Sequence, residues 1–162
     1  MGPKNLLSDK AKDILQKAVY AELYAANLYK HLANQMQRMG YFGASKFFKE
    51  ESADELAHYQ KIADFMNDCG SMAEMPEIEA CDDKASTLKD ALMIAYDAEF
   101  ELRKDYMQWY STCGDVIVQQ FLLKFLELQR KSVGEYADLL ARLARVEDDS
   151  CGILIIDKEL GE

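Results

Sequence analysis

Helix breakers are so sparse along this chain that their positions dictate its architecture. Two prolines and eight glycines stand among 162 residues, and the stretches between them carry apolar residues at helical spacing. Ser8 and Asp9 offer a helix start. Ile14, Leu15, Ala18, Ala21, Leu23, Ala25, Leu28, Leu32 and Met36 then form one apolar stripe to about Arg38. Gly40 ends it. A second helix is expected from about Phe42 to Asp68, stopped by Cys69-Gly70. The longest irregular stretch follows, Ser71 to about Ser86, with Pro76 and several acidic residues. Ser86 or Thr87 caps a third helix to about Thr112, with Asp90 three residues after Thr87. Gly114 marks a tight turn, and Asp115 caps a fourth helix to about Val146. Asp148-Asp149-Ser150 then sets apart a short apolar segment, Ile153-Leu154-Ile155-Ile156.

Loop lengths carry topology. Tight turns at Gly40 and Gly114 make two antiparallel helix hairpins. The linker of about sixteen residues between them is long enough to run the length of a bundle. The expectation is an all-α four-helix bundle with one long crossover, in a single domain over residues 1–162. The alternative is a simple up-and-down bundle with a loose loop.

Charge and composition exclude several functions. A net charge of −10 argues against binding a nucleic-acid backbone and suits the attraction of cations. No apolar run approaches a membrane span, and the N-terminus lacks the apolar core of a signal peptide. Cys69, Cys81, Cys113 and Cys151 show no Cys-x-x-Cys spacing, and reduced thiols in a cytoplasmic protein are expected.

The chemistry-bearing motif is Glu55-Leu56-Ala57-His58, inside the second helix. Residues three apart share a helix face, so the carboxylate and the imidazole can reach one metal ion. Residues equally far from a tight turn lie side by side, which identifies companions. Glu22 is about 18 residues before Gly40 and Glu55 about 15 after it. With a rise of about 1.5 Å per residue, their heights differ by roughly 4 to 5 Å. Glu99 and Gln129 each stand 15 residues from Gly114. Carboxylates gathered at one level of a core repel each other unless cations compensate them. A divalent metal pair uses them all as ligands. The alternative turns Glu22 and Glu99 outward into solvent.

Glu22-Leu23-Tyr24-Ala25 with Tyr29, Glu55-x-x-His58, Tyr96-Asp97-Ala98-Glu99, Phe121-Leu122 through Gln129, and the tail Ile156-Asp157-Lys158-Glu159-Leu160 fall in order at fitting separations. Together they resemble the five helix motifs of a bacterial, haem-free ferritin, over nearly the whole chain. The resemblance implies a ferritin-like four-helix bundle with one long crossover and a short C-terminal fifth helix. It implies iron storage: Fe(II) oxidised by O2 or peroxide at a di-iron ferroxidase centre, and ferric mineral kept in a homo-oligomeric cage of 24 subunits. Carried over by position, Glu22 and His58 bind one iron, Glu55 bridges, and Glu99 binds the second. Gln129 sits beside that second iron, and Tyr29 adjoins the centre as a hydrogen-bond or electron donor. In such a cage the tail segment lines a fourfold axis, so an exposed apolar tail is expected.

Departures narrow the reading. Leu128, Lys131 and Ser132 replace carboxylates that hold a third iron in related proteins, leaving Asp54 alone. Leu56 stands where haem-binding relatives place Met, so no haem is expected. Arg130 follows Glu127 by three, so the fourth helix lacks a second Glu-x-x-His. Ala57 and Gln60 thin the mineral-nucleating face, and Gln119 and Leu122 replace acidic pore residues. Two competing readings are a di-iron oxidase or peroxidase without storage, and a structural subunit of a mixed cage.

Overall fold

A computed structural model of the chain describes residues 2–162. Among these residues there are five helices and no strand: α1 (Asp9–Arg38), α2 (Phe42–Asp68), α3 (Leu88–Thr112), α4 (Val116–Val146) and α5 (Ser150–Leu160). The starts are chemically fixed. Ser8 accepts from the Ala11 amide, and Asp115 from the amides of Ile117 and Val118. At α3 Thr87 is the cap, accepting from Asp90 N at 3.0 Å, while the Asp90 carboxylate accepts from Ser86 N at 2.9 Å. That reciprocal pair satisfies two free amides at once. The fifth helix begins at Ser150, earlier than the apolar segment suggests, because Asp149 accepts from Gly152 N at 3.0 Å.

Gly40 and Gly70 follow α1 and α2 with φ of 84° and 82°. Left-handed backbone lets the chain reverse there, and Tyr41 N and Ser71 N return to carbonyls of the preceding helix, Met36 O and Met66 O. α1 packs chiefly on α2, and α3 on α4. Residues 71–87 have no helix or strand and run along α1 as a strap. Gln16 pairs in both directions with the Glu74 backbone. Further along α1, Gln35 bonds Asp83 O and Ala85 N, and His31 also meets Asp83 O. Gln16 and Gln35 are roughly 28 Å apart along the helix. The crossover therefore spans the bundle, which rules out the loose-loop topology.

The core is divided. One apolar cluster gathers Leu15, Val19, Ile62, Tyr106, Leu122 and Phe125, and the other gathers Leu32, Phe48, Leu92, Tyr136 and Ile156. Between them each long helix contributes a buried polar residue: Glu22, Glu55, Glu99 and Gln129. Among the described residues, no helix is long and apolar enough to cross a membrane. All four cysteines are free thiols.

The tail is not wholly exposed. Ile156 is buried and Ile153 half-buried against the bundle, while Leu154 and Ile155 are 53% and 58% exposed. Asp157 anchors the helix by accepting from Ala44 N at 2.7 Å and Gly43 N at 3.2 Å. The first turn of α2 has no cap from Tyr41, so α5 supplies it. A Cβ at Gly43 would lie 1.7 Å from Asp157 O, so only glycine permits this approach.

Candidate metal centre

The polar layer is built from one residue of each of the four long helices. Glu22, Glu55, Glu99 and Gln129 are each no more than 2% exposed. His58, one turn beyond Glu55, has a side chain 13% exposed and lies at the edge of the layer. Its Nδ1 is 3.3 Å from Glu55 Oε2 and 3.5 Å from Glu22 Oε2. Ligand-capable atoms of Glu22, Glu55 and His58 all lie within 4.8 Å of one another. Phe125 packs edge-on against the imidazole, with ring centroids 6.0 Å apart.

Glu99 forms the other half of the layer. Its Oε2 accepts from Gln129 Nε2 at 2.6 Å, and its Oε1 accepts from the Tyr29 hydroxyl. The outward-facing arrangement of Glu22 and Glu99 is thus excluded. All six residues singled out in the sequence are brought to this level.

Sequence reasoning missed Tyr106 and Tyr136. The Tyr106 hydroxyl donates to Glu22 Oε1 at 2.5 Å, and Tyr136 donates to Glu51 Oε2 at 3.0 Å. A signal for Tyr106 was present. Tyr29 follows Glu22 by seven residues, and Tyr106 follows Glu99 by seven. The structure crosses the two pairs: each tyrosine holds the glutamate of the other helix.

Electrostatics assigns unequal roles. Burial alone raises Glu22, but its neighbours Glu55, His58 and Tyr106 together outweigh it and hold this carboxyl below its ordinary range. Burial pushes Glu55 far above that range, and ionised Glu22 beside it adds to the effect. Burial also raises Glu99, against the opposing hydrogen bonds of Tyr29 and Gln129. For His58, burial lowers the pKa, yet the Glu22 carboxylate carries it above the usual imidazole value. Within the layer Glu22 is thus the carboxyl that ionises most readily, and Glu55 is pushed furthest toward its protonated form.

One atom of the polar layer is left over. Glu22 Oε2 is buried without a hydrogen-bond partner, which is costly for a carboxylate oxygen. A cation among Glu22, Glu55 and His58 would complete it, in competition with protons. Oxygen and imidazole donors suit iron.

A family model described as Ferritin-like domain matches residues 12–146. A probable bacterial non-heme ferritin-like protein of Haemophilus influenzae is 26% identical over 159 residues, 96% of each chain. A soma ferritin of Lymnaea stagnalis is 30% identical over 152 residues, 90% of this chain and 87% of its own. Among solved structures, an open pore ferritin from the archaeon Archaeoglobus fulgidus superposes with a TM-score of 0.92. It is 24% identical, with 95% of this chain and 97% of that one covered.

Proposed function

The chain belongs to the ferritin family, of the bacterial non-haem type, and from that premise we propose that it is an iron-storage protein that oxidises its own cargo. Fe(II) is the substrate. Glu22 and His58 take one ion, Glu55 bridges, and Glu99 takes the second with Gln129 beside it. Burial favours a protonated Glu55, and the Glu22 carboxylate favours a protonated His58, so the metal competes with protons for both side chains. Oxidation by O2 or peroxide raises the charge of each ion, which the ionised carboxylates then stabilise. Tyr29 holds Glu99 in place and stands close enough to exchange a proton or an electron with the centre. The ferric product is stored inside a homo-oligomeric shell of 24 subunits in the cytoplasm.

The observation that carries this reading is the Glu22–Glu55–His58 cluster, with ligand atoms within 4.8 Å of one another and one buried oxygen unpartnered. Aerobic Fe(II) oxidation, followed by ferric absorbance, tests it. Glu55→Ala is expected to lower the initial rate by at least about tenfold, since a shared ligand is lost. Equal rates for wild type and variant would remove the assigned centre. Size-exclusion chromatography separates storage from an oxidase without storage, because a dimer in solution contradicts a cage.

A further inference from the structure

Tyr29 and Tyr106 hold opposite glutamates, but their surroundings differ. Tyr29 is enclosed, stacked against Phe48 and Tyr136 at centroid distances of 6.0 and 6.4 Å. Tyr106 instead continues outward. Its ring is fully buried and meets Trp109 edge-to-face, with centroids 5.1 Å apart. Trp109 is half-buried and lines a cleft of about 570 Å³ between α1 and α3, beside Tyr20, Tyr24 and Asp105. An unbroken line of contact therefore runs from Glu22 through the Tyr106 hydroxyl and ring to an indole at the surface.

We propose that Tyr106 and Trp109 form a relay that donates electrons to dioxygen reduction at the Glu22 side of the centre. The relay rests on the ferroxidase reading above. Two ferrous ions release two electrons, enough to carry O2 only to hydrogen peroxide. Reduction to two waters takes four electrons and four protons. Tyr106 gives up one electron and its phenolic proton, and both are consumed as dioxygen is reduced to water. Trp109 refills Tyr106, and a second oxidation of Tyr106 completes the set. The pair together loses two electrons and two protons, and solvent supplies the remaining two protons. What remains is a tyrosyl and an indole radical, the latter in contact with the cleft.

Trp109 is the chain's one tryptophan, so an indole radical has a single source. The experiment adds about two Fe(II) per subunit to aerobic wild type, Tyr106→Phe and Trp109→Phe. Each is freeze-quenched for electron paramagnetic resonance, with iron oxidised and peroxide released measured on the same samples. In wild type an indole radical is expected, with peroxide below one per two irons oxidised. Trp109→Phe is expected to lose the indole signal and keep a tyrosyl signal. Tyr106→Phe is expected to lose the indole signal per iron oxidised although Trp109 is intact, with peroxide rising toward one per two irons. Iron oxidation in wild type without an indole radical overturns the relay alone, as does an undiminished indole signal in Tyr106→Phe. No iron oxidation at all overturns the ferroxidase reading, and the relay with it.

Discussion

Glu22, Glu55 and Glu99 make the middle of this bundle less stable than an apolar layer would be. A carboxyl that must stay protonated inside the fold, while it ionises in the unfolded chain, subtracts from stability at neutral pH. Glu55→Gln keeps the size and polarity of the side chain and removes the tendency to ionise. It is expected to stabilise the metal-free protein by about 1 to 2 kcal/mol at pH 7 while weakening Fe(II) binding. Thermal unfolding in a chelating buffer, beside an anaerobic Fe(II) titration, checks both halves. Glu51 gives a second residue-scale test. Burial raises its pKa to about 7, against the opposing hydrogen bond from Tyr136. Between about pH 4.5 and 7 the folded chain therefore binds a proton that the unfolded chain has released. Stability contributed by this group falls as pH rises through that window, and Glu51→Gln is expected to flatten the slope in urea titrations. A steeper slope in the variant would contradict the assignment.

At the scale of elements, the caps show local chemistry deciding where helices begin, and the strap shows where distant pairing takes over. Gln16 and Gln35 hold the crossover to α1 by bonding its backbone in both directions. That keeps residues without regular structure from leaving amide groups unmet. α5 acts as a detached cap for α2. Asp157→Ala leaves the amides of Gly43 and Ala44 without their acceptor. It is expected to lower stability by about 1 to 2 kcal/mol and to loosen α5. Denaturant midpoints, with hydrogen exchange at Ala44, measure the two effects separately.

For the whole molecule, the decisive feature of the tail is that its faces have different destinations. Ile156 and Asp157 are tied to the chain's own bundle, whereas Leu154 and Ile155 present apolar surface outward. Under the proposed cage these two residues meet other copies of the chain. Leu154→Asp combined with Ile155→Asp is expected to yield smaller oligomers by size exclusion and light scattering, with unchanged helix content by circular dichroism. An intact large assembly would place the contacts elsewhere. A net charge of −10 favours approach of Fe(II) to any such shell, increasingly so at low salt.

The sequence by itself determined the helices, their order and most of their ends. Caps such as Ser8 and Asp115, and the glycines beyond α1 and α2, act over five residues or fewer, so their effect is written locally. It also paired Glu22 with Glu55, and Glu99 with Gln129, at similar heights within each hairpin, because rise per residue is nearly constant. Only the tertiary structure decided how those residues pair. Tyr29 reaches Glu99 across 70 residues of chain, and Tyr106 reaches Glu22 across 84. Such contacts depend on the rotation of each helix about its axis, and a stripe about 100° wide leaves that rotation loose. The same freedom hid the Tyr136–Glu51 bond and the division of α5 into a docked face and an outward one. Protonation followed from packing as well, since which glutamate stays ionised depends on how many donors the fold brings to it.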